Sequence, residues 1–429
     1  MNAIPSVLPA GWIREHSTVL TTIDPSADLA DLEPLREIVG DARVAAIGEN
    51  AHFVEEFSTI RQRVLRFLAE RCGFSVFAFE FSFAGAGVLD RWLAGQDGRT
   101  LGEVSPAAAD WGAGGLLAWL REHNTTSGNP LRFVGIDIPD AGGALRPVLE
   151  PLADYLAIAD PDSAPLVETA LRISDSFLAG LRSGASAAPA WARLDAAQQN
   201  ELTAVLARLQ LRLRAIQPLA EARGDAHSYA VAERLVAGAC AVDYMFRAMN
   251  DLYSGTGRTA DLSTRDIYMA ETLRWQLEHA PPGARIVLAA HNNHIQKTAN
   301  VFGPATTALP MGQHLARMLG NDYVAIGLTH TDGHVPEMHP DPAAPVGFTL
   351  GDEDLPEPQP GSIEAALVGA GLREQITFTD LRRAPTAPDG SPLLTDIRTQ
   401  SAVTHTPLGD AFDAVIATPT VTRDRTVTF

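Results

Sequence analysis

Cysteine is nearly absent: the chain holds two, Cys72 and Cys240, far apart and with no C-x-x-C. That excludes a disulfide framework and a zinc ribbon, and the apolar, helix-like surroundings of both predict buried thiols. Lysine is rarer still. Of 33 Lys plus Arg, Lys297 is the only lysine, which with heavy alanine usage reads as a bias of the whole composition. Positive charge is short overall: the formal net charge is −19 and the pI about 5.0. A phosphate-backbone binder needs a basic face, so nucleic acid is excluded as a partner, while an acidic field draws cationic small molecules weakly. No apolar run approaches the ~20 residues of a membrane helix, and MNAIPSVLPAGWIREH lacks a basic segment followed by a long apolar core. No membrane partner is expected, and the expected location is cytoplasmic. Signature motifs are missing too. No G-x-S-x-G points to a serine hydrolase, and no P-loop or dinucleotide G-x-G-x-x-G follows a strand; SGTGR (254–258) lies in a helical stretch. There is no internal repeat.

What is present, in 429 residues that are 46% hydrophobic, is an alternation of short apolar runs with amphipathic segments. ARVAAIG (42–48), FSVFAFE (74–80) and LRFVGID (131–137) read as strands. VEEFSTIRQRVLRFLAERCG (54–73) has Phe57, Ile60, Val64, Leu65 and Leu68 at helical spacing, with Gly73 as its stop. GVLDRWLAG (87–95) reads as a helix, and so does DLEPLREIVG in an otherwise irregular lead-in of residues 1–41. From Arg146 to His279 strand signals fade and Leu/Ala/Arg-rich helices dominate, as in 202–222 and 228–253. Strands return at 284–290, 322–330, 376–382 and 412–418, with helices at 311–320 and 363–371. The Pro-, Asp- and Gly-rich stretch 338–362 reads as loop. The expected fold is α/β: a parallel-sheet, three-layer core with a helical insertion, or lid, domain. Residues 1–145 form the first part of the core, 146–280 the helical lid and 281–429 the second part of the core.

In open α/β sheets ligands bind beyond the carboxyl ends of the strands. Strand 42–48 delivers Glu49 and His52 there, strand 74–80 ends in Glu80, strand 131–137 ends in Asp137, and strand 284–290 delivers His291 and His294. Taken singly each has an ordinary explanation. Glu49 is a first-turn helix acid, Asp137 caps the turn before Pro139, and the histidines are loop residues. Glu80 is harder to dismiss, because a carboxylate closing a buried strand needs a partner. Four strand ends carrying ionisable groups point to one crevice.

Histidine beside carboxylates suits general acid–base catalysis, with water activated against a carbonyl. The same side chains fit a second reading, a metal-dependent hydrolase of an ester or phosphoester with His52, Glu80, His291 and His294 as ligands, although the spacing lacks the helical H-E-x-x-H signature. A third is a non-catalytic protein that holds a small molecule in the same crevice. Arg61, Arg265, Lys297 and the backbone N–H groups of Gly48–Asn50 are the candidates to polarise a carbonyl. Arg61 equally fits a surface position, since Arg63 and Arg66 are nearby.

GENAHF, FAFEF, GIDIP, AHNNHIQKT and LPMGQHLARMLGNDYVAIGLT, in this order and spacing, resemble the erythromycin esterase family, most closely its type-B macrolide esterases, from about residue 30 to the end. The resemblance implies a parallel-sheet core with a helical portion and hydrolysis of the lactone ester of 14-membered macrolides, which inactivates the antibiotic. It implies that His52 is the general base, Glu49 its acidic partner and Glu80 the second carboxylate. Arg61, His291 and His294 complete the site, with no metal or other cofactor. Asp137, Asn292, Arg265 and Lys297 are expected to touch substrate. Two departures stand out: the family's AHNAH is AHNNH here, introducing Asn293, and the loops near 97–113 and 338–362 diverge. Preferred macrolide and oligomeric state are left open.

Overall fold

A strand that is apolar at successive positions is stable only where both its faces are covered. The computed structural model, which describes residues 10–302 and 306–429, covers them. Eight strands form one sheet: β1 Ser17–Val19, β2 Val44–Ile47, β3 Val76–Ser82, β4 Arg132–Asp137, β5 Ile286–Ala289, β6 Tyr323–His330, β7 Thr377–Asp380 and β8 Ala414–Thr418. Their spatial order is β1-β7-β8-β6-β2-β5-β3-β4. From β8 to β4 all neighbours are parallel; β7 runs antiparallel to β8, and β1 antiparallel to β7.

Every residue of β2, β5, β6 and β8 is buried. Alternate residues feed two apolar cores. Ala45, Ile47, Val287, Ala289 and Ile326 pack on one face with the helix Glu55–Cys72; Val44, Ala46, Ile286, Leu288 and Ala325 pack on the other with the helix Ser263–His279. The result is a mostly parallel sheet between helical layers, as expected. The helix Glu55–Cys72 buries all five apolar positions of its predicted stripe, each worth about 1.5–3 kcal/mol, and ends at Gly73 in the left-handed conformation (φ 74°).

A third apolar core lies off the sheet. It is built from the helices Arg146–Ala159, Ala164–Leu178, Gly184–Trp191, Ala196–Ala222 and Ala226–Tyr253. The helix Ser263–His279 joins the two bodies: Tyr268 faces this third core, while Met269, Leu273 and Leu277 face the sheet. Among the described residues no helix is long and apolar enough to cross a membrane.

Some expectations are corrected. The stretch 338–362 is loop at most positions, as expected, but it also carries strand pairing: His334–Pro340 pairs antiparallel with Phe348–Asp354. Prolines mislead here because both strands of a two-stranded ribbon are edges, where a missing N–H costs no ladder bond. The lead-in carries a helix, Ala10–His16, and the edge strand β1, which is too short to show a period. Cys72 and Cys240 are free and only partly buried.

Candidate active site

Four adjacent strands, β2-β5-β3-β4, end on one edge of the sheet, and each delivers the ionisable residues read from its sequence. Those of β2, β3 and β4 open into a cavity of about 350 Å³, whereas His291 and His294 after β5 are not among its lining residues. Glu49, His52, Arg61, Glu80, Asp137 and Arg265 line its polar side; Phe53, Phe81, Trp111, Met249, Met338 and Phe348 contribute to an apolar wall.

After β2 the chain passes close to the turn that follows β5. A β-carbon on Gly48 would lie 1.8 Å from Asn292 Oδ1, so only glycine fits. The turn that follows holds Phe53 at φ 65° and aims Glu49 and His52 inward together. His52 Nδ1 lies 2.8 Å from Glu49 Oε1. An ionised carboxylate only accepts, so Nδ1 carries a proton, and in the neutral ring Nε2 is the nitrogen with the lone pair. The His52 side chain is 32% exposed, toward the cavity. Arg61, buried in the helix Glu55–Cys72, donates from Nη1 to Glu49 Oε2 (2.7 Å), from Nε to Gly48 O (3.0 Å) and from Nη2 to Ala290 O (2.8 Å). Burial alone would raise the Glu49 pKa, but Arg61 and then His52 outweigh it and hold the carboxyl below its ordinary range. With three of its five N–H donors committed in this way, Arg61 fixes Glu49 and the ends of two strands.

The second carboxylate is presented differently. The register of β3 against β4 shifts between Phe79 and Ser82, and Glu80 and Phe81 both reach the cavity wall. The irregularity is tolerated because β4 has glycine opposite: a β-carbon on Gly135 would lie 2.3 Å from Ser82 O. Glu80 Oε1 accepts from Arg265 Nη2 (2.8 Å) and lies 3.5 Å from His294 Nε2; Oε2 accepts the His291 N–H (2.9 Å). Arg265 also grips Asp137, with Nε to Oδ1 at 2.9 Å and Nη2 to Oδ2 at 2.6 Å. His294 Nδ1 meets Asp266 Oδ1 at 2.7 Å. Burial opposes a charged imidazole at His294, yet Asp266 and Glu80 overcome it and push its pKa up to about 9. Glu80 is held well below the carboxylate range against its own burial, chiefly by His294 and Arg265.

His291 lies between the two groups, its ring centroid 4.9 Å from that of His52. Its Nδ1 accepts the Asn293 N–H (3.1 Å), which places the ring proton on Nε2. Burial first, then the neighbouring His52, pushes its pKa down to about 3, so it is a neutral donor. Of the four residues a metal reading would use, His294 has both ring nitrogens toward carboxylates, Asp266 on Nδ1 and Glu80 near Nε2.

Two expected substrate contacts lie elsewhere. Asn292 spends its amide on β6, donating to Leu328 O (2.8 Å) and accepting the Leu328 N–H (3.1 Å). Lys297 pairs with Asp413 (2.5 Å). Neither lines the cavity, since the chain after β5 turns back toward the sheet at these positions. Asp137 and Arg265 do line it. Sequence reading passed over Asp266, whose first-turn position on a helix is commonplace for an acid, and Gln400, whose Oε1 accepts the His52 N–H (2.7 Å). It also passed over the aromatic group of Phe53, Trp111, Phe348 and Phe429, with the Trp111 and Phe429 rings 4.9 Å apart.

Known proteins resemble this chain over most of its length. The family profile described as erythromycin esterase matches residues 69–421. The chain is 32% identical to erythromycin esterase type II of Escherichia coli, over 94% of this chain and 96% of that protein. It is also 32% identical to erythromycin esterase type I of Escherichia coli, over 96% and 98%. A mutant of the erythromycin esterase EreC, solved in its open conformation, superposes with a TM-score of 0.88 at 31% identity, covering 96% of this chain and 99% of that one. A Bacillus cereus protein matches with a TM-score of 0.73 at 21% identity over 96% of this chain and 97% of its own, a likeness of fold alone. The chain belongs to the erythromycin esterase family, and with it to the carboxylic-ester hydrolases.

Proposed function

We propose that the protein opens the lactone ester of 14-membered macrolides of the erythromycin type, using a water activated by His52, and thereby inactivates the antibiotic in the cytoplasm. The observation that carries this reading is the His52–Glu49 pair: a partly exposed imidazole in a cavity, with Nδ1–H bound to a carboxylate and Nε2 free. Glu49 fixes the tautomer and stabilises the imidazolium that forms when Nε2 takes the proton of the attacking water. The new C–O bond forms at the lactone carbonyl. Its oxygen gathers charge beside the donors His291 Nε2–H and Arg265, and the ring C–O bond then breaks. The imidazolium returns its proton to the departing alkoxide, leaving a hydroxy acid. Glu80 keeps Arg265, His294 and the His291 backbone in place.

In this reading residues 146–280 act as the lid that reads the macrolide's shape. Ser183, Gly184 and Met249, all in or next to its helices, line the cavity beside the aromatic wall. The test is mass spectrometry of a macrolide panel incubated with the purified protein. Erythromycin should gain the mass of one water, and a 16-membered macrolide should react more slowly. Erythromycin recovered intact would overturn the substrate, and equal rates on both ring sizes would overturn the ring preference.

A further inference from the structure

Gln400 sits at the tip of the hairpin Asp396–Thr399/Ala402–His405, almost 350 residues along the chain from His52. It is one of few non-glycine residues in the left-handed region, at φ 49°. Such a conformation persists where the surroundings over-determine it, and it clusters at functional sites. Here the surroundings are the catalytic turn. The Gln400 N–H donates to Asn50 O (2.7 Å), and its side-chain Oε1 accepts the His52 N–H (2.7 Å). The other end of the same amide, Nε2, donates to Pro336 O (3.3 Å) and Glu337 Oε1 (3.4 Å), on the strand that carries the wall residue Met338. The next residue repeats the link, with Ser401 N–H donating to Glu337 Oε2 (2.8 Å). The preceding residue, Thr399, accepts from Asn293 Nδ2 (3.1 Å), between His291 and His294. One hairpin therefore braces the His52 turn and the His291–His294 turn, and its tip ties the first of these to the cavity wall.

We propose that Gln400 is a positioning residue for the reaction. Its side-chain amide holds the Asn50–Phe53 turn so that His52 stays on Glu49 with Nε2 toward the cavity, and it links the placement of that turn to the wall hairpin His334–Asp354. The proposal rests on the reading of His52 as the base. A displaced base loses rate steeply, because a misplacement of about 1 Å costs on the order of a hundredfold.

Gln400→Gly removes the amide while suiting the left-handed backbone, so the fold is kept. The expected result is an unchanged or higher melting temperature, faster hydrogen exchange at the His52 amide, and a kcat lower by about tenfold or more with a smaller change in KM. Gln400→Glu keeps the acceptor for the His52 N–H but sets a carboxylate against Pro336 O and Glu337. Its rate relative to the parent should fall at neutral pH and recover as the new acid protonates near pH ~4–5. Wild-type kcat and slow His52 exchange in the glycine variant would overturn the proposal, as would a kcat loss matched by a fall in melting temperature. His52→Ala run in parallel separates the two readings. If that variant stays active, the role of His52 fails and takes this proposal with it. If it is inactive while Gln400→Gly is fully active, only the proposal fails.

Discussion

The site holds two versions of one arrangement. Glu49 meets a histidine, His52, and an arginine, Arg61; Glu80 meets a histidine, His294, and an arginine, Arg265. The difference lies in what else is present. His52 has one carboxylate, on Nδ1, and an open Nε2, whereas His294 has Asp266 on one nitrogen and Glu80 near the other. Arg61 also donates to two backbone carbonyls, whereas Arg265 carries a second carboxylate, Asp137. The same three residue types thus make a proton acceptor on one side and a locked charge network on the other. The number of carboxylates around the imidazole decides which.

The largest effect that can break this contrast is loss of the base. His52→Ala should lower kcat/KM by about 10²–10⁴-fold, with part of the rate restored by added imidazole, because the vacated site opens to the cavity. His294→Ala should not be restored by imidazole, since its place is a paired charge and not an open acceptor. Rescue of both, or of neither, in steady-state assays would erase the distinction.

Next comes stability. Arg265→Met leaves Glu80, Asp137 and Asp266 facing His294 as the nearest cation, and should cost about 3–5 kcal/mol in urea unfolding. A loss below 1 kcal/mol would mean that the network is not held by its charges.

A pH profile sharpens the contrast further. The folded pKa of His294, up to about 9, lies above the ordinary value near ~6.5. Its contribution to stability is therefore fully present below ~6.5 and is lost as pH rises through 9. Activity that needs this charge should show an alkaline limb near 9. Asp266→Asn removes a group that raises the His294 pKa while Oδ1 still accepts the Met311 N–H, so the limb should move toward neutrality. An unmoved limb would assign it to another group.

The smallest effect is expected at Lys297. Lys297→Met breaks a partly exposed pair with Asp413 outside the cavity, so stability should fall by at most ~1 kcal/mol and kcat/KM should stay within about twofold. A tenfold loss of kcat/KM would return Lys297 to the substrate contacts.

Much of this site was legible because parallel strands put their functional ends on one edge. Reading which residue follows each apolar run reached Glu49, His52, Glu80, Asp137, His291 and His294 without any tertiary information. The limit of that reading is direction. Asn292 and Lys297 stand one and three residues beyond the histidines they accompany, yet the turn sends both back to the sheet, which no spacing rule encodes. Gln400 was invisible for a different reason. It acts by touching a backbone N–H far away in the chain, and a hairpin-tip glutamine has no local pattern. The strand pairing within 338–362 was hidden by composition, since edge strands tolerate proline.

The scarcity of lysine has a consequence for proton bookkeeping. Arginine holds its proton throughout any practical pH range and the single lysine holds its own below pH ~9, so between pH ~7 and ~9 side-chain proton exchange falls to histidine and cysteine. In that window the folded protein retains a proton on His294 that the unfolded chain releases. The heat of unfolding measured in buffers of different ionisation enthalpy will therefore carry the proton released by this buried imidazolium together with those of Cys72 and Cys240, whose thiols burial keeps protonated in the folded protein.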